Sequence, residues 1–296
     1  MLEINKEKVH YSFSSNHAPV AYAKSGDVVK FHCQDCYSDQ LLEDGYEYEK
    51  MDMTRNNPAT GPLYIEGANV GDVLRIEIKD IKTGKEGSMC GRTGAGIYEI
   101  KGTHCRKFQV HNGEILFDHG IHIPIRPMIG VIGTAPAEDE ISTQSPGEHG
   151  GNMDIKDLGI GTLLYLPVNV DGALLSMGDI HAVQGDGETV ICAMEMSGEI
   201  TLKVDILKNR EDIPVPFLVT EKHYITTAAD VSLDQSSVSA AKKMHGFLQS
   251  HSELNDIQSS FLLSLAGNLR ISQVVNPLKG CIMEFPIGLA KENFVR

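Results

Sequence analysis

No stretch of this 296-residue chain approaches the roughly 18 consecutive apolar residues that a membrane-spanning helix needs, so no membrane partner is expected. Basic residues are also short: 26 Lys and Arg stand against 40 Asp and Glu, a formal net charge of −14 at pH 7. A nucleic-acid partner requires a basic face that displaces phosphate counterions, and that class is excluded. The acidity instead serves solubility and repulsion between copies. The opening Met1-Leu-Glu-Ile-Asn-Lys-Glu-Lys8 is charged and lacks the apolar run of a signal peptide, so a cytoplasmic protein is expected. Six scattered cysteines (Cys33, Cys36, Cys90, Cys105, Cys192 and Cys281) do not make a disulfide framework and read as reduced thiols. Cys33 and Cys36 form a C-x-x-C. A strand pattern precedes them, no helix follows and no second pair completes a zinc site, so the spacing reads as incidental. A nucleotide-binding glycine fingerprint, repeats of solenoid or propeller period, and Pro-rich or low-complexity segments are all missing. Nor is there a G-x-S-x-G nucleophile elbow, which removes the serine-hydrolase route.

What is present reads as β-structure. Length permits one large domain or two intimately packed ones, with a core that needs no staples. Twenty-nine glycines, many beside aspartate, punctuate short β-branched runs. Val28–Phe31, Val73–Ile78, Lys107–His111, Ile115–Phe117, Gly130–Thr134, Thr162–Val170, Thr189–Met196 and Glu199–Leu207 are the strand candidates. Asn112-Gly113, Asp171-Gly172 and Ser197-Gly198 are the turn signals between them. Ile200, Leu202, Val204 and Ile206 alternate with Glu199, Lys203 and Asp205, which predicts a half-buried strand. The last third turns helical. Val238, Ala241, Met244, His245 and Leu248 define one helix over 234–251, and Ile257, Phe261 and Leu265 a second between Asn255 and Gly267, before a strand at Leu269–Val275. The expected fold is mainly β (a β-rich α+β protein), with a sandwich- or barrel-like core and a C-terminal helical pair. It is read as one unit over 1–296, divisible into a β-rich subdomain over 1–230 and a C-terminal segment of helix and strand over 231–296.

Three segments crowd polar residues where a β-protein would place a simple turn. In Phe31-His-Cys-Gln-Asp-Cys36, Asp35 ends an apolar strand face. It suits a metal ligand or a cap for the next turn, and the segment alone does not choose. In Pro146-Gly-Glu-His-Gly-Gly-Asn-Met-Asp154, paired glycines permit close backbone approach while His149, Asn152 and Asp154 converge. The richest is Gly178-Asp-Ile-His-Ala-Val-Gln-Gly-Asp-Gly-Glu188. If 179–183 is extended, Asp179 and His181 share a face and bind one divalent ion, with Asp35 arriving from elsewhere. Such a mixed oxygen and nitrogen set suits zinc, manganese or iron better than magnesium, with zinc favoured. Gly185-Asp-Gly187 then turns Glu188 toward the same mouth.

These segments, with Gly130-Val-Ile-Gly-Thr-Ala-Pro-Ala-Glu138, Ala193-Met-Glu195 and Leu269-Arg-Ile-Ser-Gln-Val-Val-Asn276, resemble the acetamidase/formamidase family in order and nearly end to end. Residues 85–110 and Ile123-Pro-Ile-Arg-Pro127 depart from that pattern. The resemblance implies a β-rich, self-associating hydrolase of short aliphatic amides such as formamide and acetamide. It carries function to Asp35, His149, Asn152, Asp154, Asp179, His181, Asp186 and Glu188. A divalent ion brings the pKa of its water to about 7 and polarises a carbonyl, which suits amide cleavage. The expected ligands are Asp35, Asp179 and His181. Glu188 or Glu138 is the expected general base, His149 and Asn152 orient the carboxamide or the oxyanion, and Asp154 and Gln184 contact substrate. A cysteine nucleophile at Cys33 or Cys36, a non-catalytic β-domain that binds a metal or small ligand, and a hydrolase of another small C–N substrate, such as a formylated amine or a urea-like compound, are the competing accounts. A homodimer or a multiple of dimers is the expected assembly.

Overall fold

The computed structural model describes residues 1–43 and 45–289. Among them the chain is mostly strand, as expected, and closes on two helices near its C-terminal end. Nineteen strands join one curled sheet, and a two-stranded pair joins Ser12–Phe13 to Ile141–Ser142.

The organising element is the 20-residue strand Val73–Arg92. Its opening half is paired on one edge by Leu163–Pro167 and along its length on the other by Glu195–Leu207. Its closing stretch forms a hairpin with Thr103–His111. Ile200, Leu202 and Val204 are buried while Glu199, Lys203 and Asp205 are half-exposed, the alternation that a one-sided sheet demands. The central core is built from such inward positions, among them Phe31, Leu63, Ile76, Leu164, Met177 and Leu202. A second cluster, rich in aromatics, gathers Tyr165, Phe217, Tyr224, Met244, Phe247 and Phe285 beneath the first helix.

Two strand expectations are corrected. Thr189–Val190 through Met194 is not a strand; only Glu195 and Met196 of that stretch belong to one. Ser197-Gly198 is no turn but lies inside Glu195–Leu207, at a register shift. A Cβ on Gly198 would strike the Lys82 carbonyl oxygen, so the glycine serves backbone approach across the ladder rather than chain reversal.

Helix α1 (Leu233–Ser250) is capped by the Ser232 hydroxyl, and α2 (Asp256–Ala266) by a capping box between Asn255 and Gln258. Both fall where the helical spacing placed them. Their faces differ from expectation: α1 buries Ser236, Ala240, Met244, Phe247 and Leu248 and exposes Val238, while α2 exposes Ile257, Phe261 and Leu265.

The expectation of six free thiols is also corrected. Cys90 and Cys105 face each other in the hairpin register, with Cα atoms 4.2 Å apart, and are joined as a disulfide. Cys33, Cys36, Cys192 and Cys281 are free and buried. Cys33 and Cys36 are not bonded to one another.

Candidate active site

A buried acidic cluster forms where four pieces of chain meet. The strand Leu175–His181 contributes Asp179 and His181, and Glu195 stands directly opposite His181 in the adjoining ladder. Asp154 follows the short strand Gly150–Asn152, which pairs with Met128–Gly133. Glu188 comes from a loop held by a bridge from Gly187 to Gln273. His181 Nε2 lies 3.4 Å from Asp179 Oδ1 and 3.2 Å from Glu195 Oε1. Two triads, Cys36–Asp179–Glu195 and Asp154–His181–Glu188, each bring their ligand atoms within 4.8 Å of one another.

The backbone is bent to make this cluster. Asp154, Asp179 and Glu188 have φ of 45°, 56° and 43°, the left-handed region that non-glycine residues rarely occupy. Asp179 and His181 therefore do not meet through plain strand alternation, as the sequence suggested; a local twist at Asp179 turns its carboxylate inward. The register places Asp179 opposite Gly130, and that glycine leaves the space the carboxylates fill.

Burial and mutual repulsion make these acids weak. Burial, then the Asp39 and Glu195 carboxylates, pushes Asp35 up to about 7 against backbone hydrogen bonds that favour the anion. Asp154 and Asp179 are each raised to about 6, first by burial and then by a neighbouring carboxylate. Glu188 is driven well above its usual range by burial and then by Asp154. Burial opposes charge on His181, but Glu195 and Asp179 outweigh it and favour the imidazolium.

The hydrogen bonds sort the ring nitrogens of His181. Gln184 donates its amide to the Asp154 carbonyl at 2.8 Å, which leaves its oxygen to accept from His181 Nδ1, also at 2.8 Å. The Nε2 atom then faces Asp179 and Glu195. Among the described residues no hydrogen-bond partner exists for His181 Nε2, Glu188 Oε2, Glu195 Oε2 or Asp35 Oδ2. Four such buried polar atoms, all carboxylate or imidazole, are the donor chemistry of a divalent cation, and the residues present fit one.

The expected site residues divide. Asp154, Asp179, His181 and Glu188 come together, and all of them but His181 join Asn152 in the wall of a cavity of about 380 Å³. Asp35 is buried nearby, but its Oδ1 caps a turn by accepting from Tyr37 and Asp39 amides at 3.0 and 2.7 Å. Gln184 braces His181 from behind and does not line this cavity. His149 does not line it either. Its ring packs edge-on to Phe13 with neither nitrogen hydrogen-bonded among the described residues, and burial lowers its pKa to about 4. Glu138 is exposed on a loop and is not brought to the cluster. Asp186 points away, held below the usual carboxylate range, against partial burial, by Arg270 and Lys156.

Sequence reasoning missed Glu195 and Asn276 as site residues. Glu195 is the one acid in the apolar run Ile191-Cys-Ala-Met-Glu-Met196, a signal that a buried carboxylate needs a partner. The Asn276 side-chain amide donates to Asp154 Oδ2 at 2.6 Å and to the Asn152 carbonyl at 3.0 Å. The cavity cysteines are poor nucleophiles as they stand. Burial and then Glu195 raise Cys192 to about 12 and Cys36 well above its usual range, and burial alone lifts Cys33 to about 12.

Comparison with known proteins shows the family and the fold. The model of the acetamidase/formamidase family matches residues 2–143 and 137–246. The fold superimposes on an acetamidase from Bacillus halodurans with a TM-score of 0.95, at 42% identity over 97% of this chain and 98% of that one. A predicted acetamidase/formamidase from Thermoanaerobacter tengcongensis gives 0.94, at 35% identity over 97% and 96%. A candidate formamidase of Schizosaccharomyces pombe is 32% identical over 65% of this chain and 63% of its own length. The chain thus spans less than two thirds of the length of that relative.

Proposed function

The chain belongs to the acetamidase/formamidase family, and from that premise we propose that it hydrolyses short aliphatic amides, of the formamide and acetamide type, to carboxylate and ammonia. The observation that carries this reading is the buried set Asp179, His181 and Glu195, in which His181 Nε2 and Glu195 Oε2 have no hydrogen-bond partner among the described residues, with Asp179 and Glu195 in the wall of a polar cavity beside Glu188. These three residues would hold a divalent ion, with zinc the first candidate; Glu195 takes the place first expected for Asp35. When bound, such an ion supplies an activated water and a polarised amide carbonyl.

The side chains supply the rest. Gln184 accepts from Nδ1 of His181, so with an ion bound Nε2 would present its lone pair in place of the proton that Glu195 and Asp179 otherwise favour. Glu188 lines the cavity with a free Oε2, and its raised pKa lets it accept a proton from the attacking water and return it to the departing nitrogen. Asn152 and Asp154 orient the carboxamide, with Asn276 holding Asp154 in place. His149 supports this wall from behind and does not touch substrate.

Ammonia release from formamide, acetamide and propionamide, before and after chelation and with bound metal quantified in the same sample, tests the proposal. Turnover of at least one amide that chelation abolishes and metal restores is the expected result. Turnover indifferent to chelation in metal-free protein overturns the metal assignment, and absence of turnover in metal-loaded protein overturns the amidase reading.

A cytoplasmic protein that self-associates as a dimer or a multiple of dimers completes the proposal. The exposed Ile257, Phe261 and Leu265 on α2 support association, since single-copy surfaces seldom keep such stripes bare. Light scattering that returns the mass of one chain would refute it. Pairing of His223–Asp230 with Lys279–Pro286 ties the two sides of residue 230 together and supports one unit.

A further inference from the structure

The cavity is larger than acetamide needs. At about 380 Å³ it reaches the range, from about 300 Å³, that encloses drug-sized ligands, whereas acetamide has few atoms. Its wall includes Asp154, Asp179, Glu188 and Glu195 of the acidic cluster. Its wall also includes Arg92 and Lys279, two cations in a chain of net charge −14. Arg92 is half-buried, and its guanidinium has no hydrogen bond or ion pair among the described residues. The Lys279 ammonium donates to the Asn276 carbonyl at 2.7 Å and forms no ion pair among the described residues.

Both positions are built. Arg92 ends the long strand opposite Thr103, and the loop beyond it is pinned beside Glu188 by the Ile97 amide on the Thr189 carbonyl at 3.0 Å. Lys279 opens the strand Lys279–Pro286, and Asn276 links it to Asp154.

We infer, on the premise that this site hydrolyses amides, that its substrate is the monoamide of a short dicarboxylic acid, with the carboxylate held by Arg92 and Lys279 and the carboxamide at the acidic cluster. A cavity whose wall carries two cations as well as the acidic cluster offers such a molecule a partner for each of its groups, whereas a neutral amide gains nothing from the cations. A guanidinium without a competing acid is the side chain that pairs a carboxylate bidentately. Hydrolysis then converts the monoamide and one water into the dicarboxylate and ammonium.

The test compares kcat/KM for succinamate, butyramide and hexanamide in the wild type, Arg92→Gln and Lys279→Gln, each metal-loaded. The expected ratio of succinamate to butyramide is about tenfold or more, diminished by salt, lowered in Lys279→Gln and close to one in Arg92→Gln. A wild-type ratio of one or less, or a ratio that Arg92→Gln leaves unchanged, overturns the inference. So does kcat/KM that rises with chain length to hexanamide without carboxylate preference, which would assign the tail to the separate, apolar cavity of about 320 Å³ lined by Met89, Phe108 and Val183. If no amide is hydrolysed, the amidase reading fails on its own, and calorimetric titration with succinamate decides the inference. Binding weakened about tenfold by Arg92→Gln upholds it; no binding, or binding the substitution leaves intact, overturns it.

Discussion

A methyl group on Gly130 would lie 2.6 Å from Asp154 Oδ1 and closer still to Asp179 Oδ2. Neither carboxylate can retreat far, because each sits in a packed cluster that already holds its residue at positive φ. Gly130→Ala should therefore spread the ligand set and weaken metal affinity by about 10–100-fold, while far-ultraviolet dichroism stays native. Metal retained at wild-type affinity would show that the two carboxylates are not held where the chemistry needs them. Glu188→Gln separates proton transfer from binding. It should lower kcat by about 10²–10⁴ with metal content intact and KM little changed. Loss of metal instead would make Glu188 a ligand. Much of this set was legible in the sequence because Asp179, His181, Gln184 and Glu188 crowd within ten residues, and His149, Asn152 and Asp154 within six. Glu195 was not, since its partner His181 is met only through strand pairing, which local spacing does not contain. His149 was misplaced for the converse reason: neighbours in sequence need not face one cavity when intervening glycines turn the chain.

Elements were easier to locate than to orient. The helical period marks α1 and α2 because apolar residues recur every three or four positions. Which apolar stripe meets the sheet depends on the docking angle, and that is a property of the partner. In α2 contact with the core is brief, so Leu263 is buried at 7% exposure while Phe261 is 65% exposed. Denaturant unfolding of dilute protein should register this inversion. Leu263→Ala is expected to cost about 2–5 kcal/mol, and Phe261→Ser to stay within about 0.5 kcal/mol. Equal costs would mean that α2 packs in the register the sequence suggested. The long strand Val73–Arg92 was seen only as far as Ile78, because its later half carries Gly84, Gly87 and Gly91. Glycine normally interrupts a strand, and its use for close cross-ladder approach becomes visible only with the partner strand in place.

Acid–base behaviour belongs to the whole molecule, where two sets of buried groups pull stability in opposite directions. His10 and His149 are both lowered to about 4, first by burial. Above pH 6.5 they are neutral folded or unfolded; between 6.5 and 4 the unfolded chain takes up protons that the folded one refuses. Stability therefore falls on acidification, by roughly 3 kcal/mol for the fully buried His149, and His149→Gln should flatten that limb. The cluster acts the other way. Asp35, Asp154 and Asp179 have folded pKa values of about 7, 6 and 6, above those of the unfolded chain. Their contribution is full below about pH 4 and is lost as pH rises through 6 and 7, when buried carboxylates must ionise beside one another. A divalent ion removes that second loss by pairing with the ionised form, and leaves the first untouched. Thermal melts of chelated protein should fall by several degrees from pH 5.5 to 8, whereas melts of metal-loaded protein should hold level or rise over the same interval. Parallel curves for the two samples would mean that the cluster does not take the cation its unpartnered atoms invite, and would leave the repulsion among its carboxylates to be relieved by protons alone.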